Sequence, residues 1–125
     1  MHLEPYRRDH LERFTPGAVD IENAEVLSRV GGWEGKAVSA VEDGETLGIC
    51  GIGQVDGVAN VFLVLSDEMR TRPVTLTRWA MRSIPHILAL PGVKRISIEI
   101  RHETARKWAE HLGFKHEYGE RFRYD

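Results

Sequence analysis

Three stretches in the first half of the chain carry the apolar patterns of β-strands. They cover residues 35–42, 46–55 and 58–65, and an Asp-Gly pair follows each of the first two. Asp43-Gly44 and Asp56-Gly57 are strong signals for two-residue hairpin turns, so we expect three consecutive antiparallel strands. Residues 58–65 are apolar at nearly every position, which is typical of a central strand that is covered on both faces.

Apolar residues at helical spacing recur in four further stretches. They predict helices over residues 9–14 with Asp9 as the cap, 20–30 ending at Gly31-Gly32, 75–90 ending at Pro91-Gly92, and 102–112 ending at Gly113. Pro85 lies inside the third of these helices. Proline cannot donate the backbone hydrogen bond of a helix interior, so we expect the helix to kink or split there.

Shorter alternating stretches complete the pattern. Residues 2–7 form at most an edge strand, 95–100 alternate as a half-buried strand, and 115–118 and 121–124 are two short strands around Gly119-Glu120. This order of elements predicts an α+β fold, with a mixed and mostly antiparallel sheet flanked by helices. Its two strand–helix–strand crossovers predict parallel neighbours at the middle and at the end of the sheet.

Length and composition indicate the kind of protein to which such a sheet belongs. The 125 residues suffice for one domain over residues 1–125, and 42% hydrophobic with 29% charged residues is typical of a globular protein. Cys50 is the only cysteine, which excludes an intrachain disulfide and a four-cysteine zinc site. The amino terminus lacks a secretory pattern and no apolar run approaches the roughly 20 residues of a membrane span, so we expect a protein that is neither secreted nor membrane-spanning.

The charged residues are distributed unevenly along the chain. Residues 1–66 hold 11 acidic and 5 basic residues, whereas residues 67–125 hold 8 acidic and 12 basic ones. Arginine accounts for 13 of the 17 bases, and it binds phosphates and carboxylates through paired hydrogen bonds. The basic half therefore faces an anion, or its arginines are solvated on helix faces and strand edges. Asp20, Glu22 and Glu25 are expected to be solvated at a helix start, with docking on a basic partner as the alternative.

Several other site chemistries are not expected. The glycines of residues 48–57 lie in a strand that leads to a hairpin, and not at the helix start that a dinucleotide-binding loop requires. His102, His111 and His116 lack a metal-ligand spacing, so we expect no metal site. Cys50 lies in an apolar strand, which favours a buried small hydrophobe over a nucleophile.

A basic segment also raises the question of nucleic acid. Residues 69–106 hold eight bases and two acids, with Trp79 and Trp108 among them. Both tryptophans fall on apolar helix faces, however, and the whole chain has a formal charge of −2. Nucleic-acid binding is therefore not expected, and an anion- or nucleic-acid-binding module built on these arginines stays as an alternative.

The last third of the chain resembles the carboxyl-terminal signature of the GCN5-related N-acetyltransferase (GNAT) superfamily. Ala105 and Leu112-Gly113-Phe114 match that signature at its usual spacing. Gly113 can take the left-handed conformation that ends the helix, and Phe114 can then enter the core. Together with the three-strand meander, the arginine-bearing connection and the long helix, the resemblance covers most of the chain.

The resemblance implies a location for an acyl-CoA site. In the family, pantetheine pairs with exposed backbone of the fourth strand, which here is Phe62, Leu63, Val64 and Leu65. The pyrophosphate lies on backbone N–H groups at the start of the following helix, in a loop of pattern Gln/Arg-x-x-Gly-x-Gly/Ala. If acyl-CoA binds, the resemblance implies that the site also includes Arg70, Arg72, Val74, Thr75, Leu76 and His102.

The loop departs from the family pattern at two positions. Pro73 stands at the first glycine and has no N–H to donate, and Thr75 stands at the second small residue. These changes imply a loss of tight binding. The alternative is that Arg70, Arg72 and Arg78 compensate as side-chain ligands of the phosphates.

The acid–base positions depart from the pattern as well. Ala109 stands where many members place the tyrosine that protonates the leaving thiolate, and His102 stands at the family's asparagine. Residues 58–65 hold no carboxylate that could serve as general base. Glu99 is a possible substitute on the next strand, although its place in an alternating strand favours a solvent-facing side chain.

The chain is also similar to a smaller branch, the GNAT-like phage proteins that include internal virion protein A of short-tailed coliphages. The similarity lies in residues 47–53, a glycine-bearing strand, and residues 61–67, an aromatic-containing strand that ends in Ser-Asp. That branch also lacks a good pyrophosphate loop and the tyrosine. It implies a protein without a cofactor, located in the host cytoplasm or the phage particle, whose partners are other virion or assembly proteins.

Two functions therefore remain open. The first is a non-catalytic virion or assembly component with a degenerate acyl-CoA loop. The second is an active N-acetyltransferase that acts on a primary amine, with acetyl-CoA as cosubstrate along residues 62–65. Fold alone does not decide between them.

Overall fold

The computed structural model describes residues 1–30 and 36–125, so the predicted helix end at Gly31-Gly32 lies outside the described residues. The strands are β1 (His2–Pro5), β2 (Ala37–Glu42), β3 (Glu45–Val55), β4 (Val58–Leu65), β5 (Arg95–Glu99), β6 (Lys115–Tyr118) and β7 (Arg121–Tyr124). The helices are α1 (Arg8–Glu12), α2 (Ile21–Val30), α3 (Asp67–Arg70), α4 (Pro73–Leu88) and α5 (Glu103–Leu112), with a 3₁₀ turn at Ala18–Asp20 before α2.

The seven strands form one mixed, mostly antiparallel sheet in the order β1-β2-β3-β4-β5-β7-β6. The predicted α+β class and the central position of β4 are confirmed. Both Asp-Gly hairpins are confirmed as well, because φ is 51° and 78° at Asp43 and Gly44, and 50° and 80° at Asp56 and Gly57. Positive φ at both central residues is the geometry of a type I′ turn, which matches the twist of the flanking strands.

The parallel pairing was predicted correctly at one of its two places. β4 and β5 are parallel neighbours with a register from Val58↔Arg95 to Val61↔Ile98, and β4 continues to Leu65 beyond the last of these pairs. The predicted parallel neighbours at the end of the sheet are wrong, because β7 lies between β5 and β6 and is antiparallel to both. The turn at Gly119, where φ is 51°, reverses the chain after β6 and returns β7 to β5.

The long helix α4 is one element that contains Pro85, so of the two expected outcomes the split does not occur, and the kink stays a prediction. The carbonyl group of Pro85 accepts the N–H of Ala89 at 3.1 Å, and Ile84 and Ile87 on either side of the proline are buried. Packing of these side chains outweighs the one backbone hydrogen bond that the proline cannot make. None of the helices in the described part of the chain is long and apolar enough to cross a membrane.

The first helix begins at Arg8 and has Arg7 at its N-cap, so the expected cap at Asp9 is wrong. The N–H of Arg7 donates to Nδ1 of the buried His10 at 3.0 Å. This contact satisfies a backbone donor that has no partner inside the helix. The carboxylate of Asp9 instead accepts the Nε–H of Arg7 at 3.0 Å.

The first of two compact units consists of Met1–Gly51 and Leu63–Leu76. Its fully or almost fully buried side chains include Leu47, Ile49 and Met69. These residues come from β3 and from the segment after β4. This unit therefore contains the segment where the resemblance implies a phosphate loop, together with buried apolar residues.

The second unit consists of Ile52–Phe62 and Thr77–Asp125. Its buried cluster includes Ile87 of α4, Ile96 of β5 and Phe122 of β7. The expectation of a single domain over residues 1–125 stays a prediction.

The Leu-Gly-Phe segment ends α5 as its sequence predicts. Gly113 has φ 103°, and the N–H of Phe114 donates to the carbonyl of Ala109 at 3.0 Å. Phe114 is buried and its ring packs against that of Tyr124, with 5.4 Å between the ring centroids. The left-handed residue thus closes the helix and directs the following side chain into the core of the second unit.

Replacing Gly113 with alanine is expected to lower the free energy of unfolding by about 1–2 kcal/mol, because the left-handed conformation is strained for any residue with a Cβ. The new Cβ would also lie 3.0 Å from a ring carbon of Tyr124. Urea denaturation measures the change. The matched control is Gly53→Ala, where a Cβ meets nothing within 4 Å and φ is not positive. Equal effects of the two substitutions would contradict the role assigned to Gly113.

Candidate functional site

The segment that follows β4, where the resemblance implies a phosphate loop, folds as a short helical turn. Ser66 is the N-cap of α3, and its Oγ accepts the N–H of Met69 at 3.1 Å. The side chain of Met69 is completely buried and anchors the turn. The sequence predicts only an arginine-bearing connection here, because four residues are too few for a periodic pattern. The Ser-Asp pair at its start is a signal that could have indicated a helix cap.

The backbone N–H groups of this turn are used within the chain. Those of Arg70, Thr71 and Arg72 donate to carbonyl groups of α3 and of its cap at 3.0–3.3 Å. The next residue, Pro73, begins α4 and has no N–H. A pyrophosphate cradle requires several amides that point at the ligand. In this conformation the segment from Arg70 to Pro73 does not supply them, and the residues present do not fit the family's loop.

The predicted helix-start residues Val74, Thr75 and Leu76 form the first turn of α4. The N–H of Leu76 donates to the carbonyl of Arg72 at 3.0 Å, whereas Val74 is 63% exposed and Thr75 is half-buried. The first N–H groups of a helix have no partner inside it. Because Pro73 has no N–H, the first backbone N–H groups of α4 are those of Val74 and Thr75.

Arg70, which the resemblance implies as a phosphate ligand, binds a carboxylate of the chain itself. Its Nη2 atom lies 2.5 Å from Oδ2 of Asp20, and Asp20 is only 5% exposed. The expectation of a solvated Asp20 is therefore wrong. The 3₁₀ turn Ala18–Asp20 carries this carboxylate inward, where an unpaired charge would be costly and the guanidinium compensates it.

Leu65, the last residue of β4, uses both of its backbone groups on the segment that contains Asp20. Its N–H donates to Oδ2 of Asp20 at 3.3 Å, and its carbonyl accepts the N–H of Gly17 at 2.9 Å. The following N–H, that of Ser66, donates to the carbonyl of Leu47 in β3 at 2.9 Å. Successive residues of a strand direct their backbone groups to opposite edges, so those of Leu65 point away from β3.

Gly17 lies close against the end of β4. A Cβ at this position would lie 2.7 Å from Oδ1 of Asp67 and 3.2 Å from the carbonyl oxygen of Leu65. Its φ is −61°, so the reason for glycine is space and not a left-handed backbone. No sequence pattern indicates the contacts of Gly17 and Asp20, because their partners at the end of β4 and in α3 lie at least 45 residues further along the chain.

Arg72 is also bound to carboxylates of the chain. Its Nη2 atom lies 2.7 Å from Oε2 of Glu42 and 2.7 Å from Oε1 of Glu68. The hydrogen bond from Arg72 lowers the pKa of Glu42, and the amino group of Met1 at 3.3 Å lowers it further. The same hydrogen bond raises the pKa of Arg72. The positive charge at this point of the loop is therefore largely compensated within the first unit.

The acid–base positions lie in the second unit. Ala109 is 2% exposed and has no ionisable group, so it does not replace the family's tyrosine. Glu99 is exposed, and the hydrogen bond from Arg101 at 2.9 Å lowers the pKa of its carboxyl, which makes it a weaker base. His102 is exposed at the N-cap of α5, and its side chain makes no capping hydrogen bond.

Cys50 does not add a nucleophile. Burial raises the pKa of the Cys50 thiol to about 12, so the thiolate is not populated near neutral pH. This agrees with its expected role as a small apolar residue of β3. Among the described residues, no group of three or more His, Cys, Asp or Glu side chains is placed to hold a metal ion.

The structure brings together most of the residues that the resemblance implies. The first unit contains Leu63, Val64, Leu65, Arg70, Arg72, Val74, Thr75 and Leu76, whereas Phe62 and His102 belong to the second. In the first unit three of these residues, Leu65, Arg70 and Arg72, bind Asp20, Gly17 or Glu42, which the resemblance does not include.

Solved acetyltransferase structures are similar to the whole chain. A chimera of the spermidine N-acetyltransferase SpeG from Vibrio cholerae and hSSAT has a TM-score of 0.67 at 11% identity, covering 98% of this chain and 95% of that one. The GNAT domain of PAT from S. lividans has a TM-score of 0.70 at 12% identity, covering 98% and 89%. AtaTR bound with acetyl-CoA has a TM-score of 0.67 at 15% identity, covering 98% and 91%.

The chain has the GNAT fold. This confirms the fold that the Leu-Gly-Phe signature and the strand meander imply. Identities of 11–15% show the fold alone, and function has to be argued from the site. No protein-family model and no curated protein matches the sequence.

Replacing Arg72 with glutamine is expected to raise the pKa of Glu42 toward its ordinary value, because the largest cause of the lowered pKa is lost. A lowered pKa in the folded state stabilises the protein above the pKa of the unfolded state, and this stabilisation disappears as the pH falls through the folded-state pKa. The variant should therefore lose less stability than the wild type over that acidic range. Titration of the carboxyl carbon of Glu42 by NMR measures the pKa directly.

The control for this titration is Asp9, whose pKa is lowered chiefly by the hydrogen bond from Arg7 and should not change in the variant. The pKa of Glu42 should also stay somewhat below its ordinary value, since the amino group of Met1 remains. An unchanged pKa of Glu42 would show that the ion pair with Arg72 does not form in solution.

Proposed function

We propose that this chain is a GNAT-fold protein whose loop does not bind acyl-CoA tightly, and that it acts without catalysis, as a virion or assembly component. The observation that carries the proposal is the bonding of Leu65. Its N–H and its carbonyl are both engaged by residues 17–20, so at Leu65 the backbone that would pair with pantetheine has partners already.

The loop and the catalytic positions support the same proposal. Pro73 removes one amide from the helix start, and Arg70 and Arg72 are paired with carboxylates. At the position of the tyrosine that protonates the leaving thiolate, Ala109 offers no acid. Together the changes weaken two steps, since the first two affect the binding of the phosphates and the last affects the departure of the thiol.

The assembly role rests on the similarity of residues 47–53 and 61–67 to the GNAT-like phage proteins. A fold that has lost its ligand contacts still offers the surfaces of its sheet and helices for protein contacts. The protein partners of such a chain would be other components of the particle.

Isothermal titration calorimetry with acetyl-CoA tests the loss of binding. We expect a dissociation constant weaker than about 10 μM, equivalent to about −7 kcal/mol, for the wild-type chain. We also expect no thiol release above background when the chain is incubated with acetyl-CoA and a panel of primary amines. A spermidine N-acetyltransferase of the same fold is the positive control for both assays. Tight binding or amine-dependent thiol release would refute the proposal.

The assembly role has a separate test. Mass spectrometry of particles purified from a phage that encodes this chain should detect it at a constant ratio to the capsid protein. Its presence in infected cells but not in the particles would contradict a virion role. The assembly role would then be tested by deleting the gene for this chain, which should lower the yield of particles.

The second candidate is an active acetyl-CoA-dependent N-acetyltransferase that acts on a primary amine. It is favoured by the structural similarity to AtaTR bound with acetyl-CoA, which covers 98% of this chain. The same two assays decide between the candidates, because acetyl-CoA has to bind and thiol has to be released if this function is correct.

A further inference from the structure

We propose that Asp20 is a built-in occupant of the strand edge where a GNAT-fold protein would bind acyl-CoA, and that its carboxylate keeps acyl-CoA out. This inference rests on the proposed function, since it explains why the loop binds acyl-CoA weakly. It assigns the exclusion to one side chain outside the loop, and not to Pro73 alone.

The end of β4 directs its backbone hydrogen bonds to two opposite edges. The N–H of Ser66 faces β3, where it donates to the carbonyl of Leu47 at 2.9 Å. The backbone groups of Leu65 therefore face the opposite edge of β4. Both are engaged there, the N–H by Oδ2 of Asp20 at 3.3 Å and the carbonyl by the N–H of Gly17 at 2.9 Å.

The carboxylate of Asp20 binds two donors of different chemistry. A single carboxylate oxygen of Asp20 accepts from the amide of Leu65 and from the guanidinium of Arg70, the latter at 2.5 Å. An amide that binds a carbonyl and a guanidinium that binds a phosphate are the two kinds of donor that acyl-CoA needs at this place. Asp20 thus occupies two donors that would otherwise bind an amide carbonyl and an anion.

Displacing Asp20 from this position would be costly. Asp20 is 5% exposed, so a ligand that displaced it would have to leave a carboxylate without its partners in a largely dry place, or move the turn Ala18–Asp20 outward. Gly17 packs closely against the same strand end, since a Cβ there would lie 3.2 Å from the carbonyl oxygen of Leu65. Acyl-CoA can bind only to molecules in which the segment is displaced. The apparent affinity is therefore the intrinsic affinity multiplied by the fraction of such molecules.

The experiment compares acetyl-CoA binding to the wild-type chain and to Asp20→Ala by calorimetry. Removal of the carboxylate frees the N–H of Leu65 and the guanidinium of Arg70, so we expect binding to tighten by about tenfold or more. The matched control is Asp9→Ala, which removes an acid that is also paired with an arginine but lies at the surface in α1. Its affinity for acetyl-CoA should equal that of the wild type.

Amide hydrogen exchange provides a readout that does not depend on acyl-CoA. The N–H of Leu65 should exchange faster in Asp20→Ala than in the wild type, while that of Ser66, which donates to β3, should stay protected. Faster exchange at Leu65 with no gain in affinity would overturn the inference, because the edge would then be open and still not bind. Unchanged exchange at Leu65 would overturn it as well.

A second variant covers the case in which Asp20→Ala does not fold. Asp20→Asn keeps the shape and an oxygen acceptor for the N–H of Leu65 but removes the charge that holds Arg70, so a smaller gain in affinity is expected. If the Asp20→Asn variant is folded by circular dichroism and shows no gain, the inference is refuted. Failure of the proposed function appears elsewhere, as tight binding by the wild type, whereas the inference is judged by the ratio between variant and wild type.

Discussion

A buried carboxylate is the constraint on which the first unit depends. Asp20 is almost completely removed from solvent, and a charge in such a place has to be compensated by donors that stay fixed. The two donors are the amide at the end of β4 and the guanidinium of Arg70 at the end of α3. One side chain therefore ties the 3₁₀ turn, the last residue of the central strand and the helical turn that follows it.

This constraint changes the meaning of the uneven charge distribution. The acidic first half and the basic second half of the sequence suggest an electropositive surface that begins at Arg70. In the first unit, however, Arg70 binds Asp20 and Arg72 binds Glu42, so acids of the first half compensate the first two arginines of the second. The pattern that resembles the outline of an anion site is here largely a set of internal ion pairs. The exposed pair with Glu42 contributes little to stability, whereas the buried one determines which backbone groups remain available.

Much of the fold could be predicted because its signals are local. The bounds of β4 follow from its apolar run, those of β6 and β7 from their place around Gly119-Glu120, and each Asp-Gly pair specifies a turn with two positive φ angles. Gly113 ends α5 for an equally local reason. The errors have non-local causes. Packing of Ile84 and Ile87 outweighs the effect of Pro85, and β7 takes the place beside β5 that a simple crossover would assign to β6.

The candidate site could likewise be predicted only in part. The resemblance to the GNAT family pointed to the strand that ends at Leu65, the arginines after it, the proline without an N–H at the helix start, and the alanine at the tyrosine position. What these groups bind became visible only in the folded chain. Asp20 lies 45 residues before Leu65 and 50 before Arg70, and no periodicity connects positions so far apart. Their meeting follows from the folding of the chain around a charge that cannot remain buried without them.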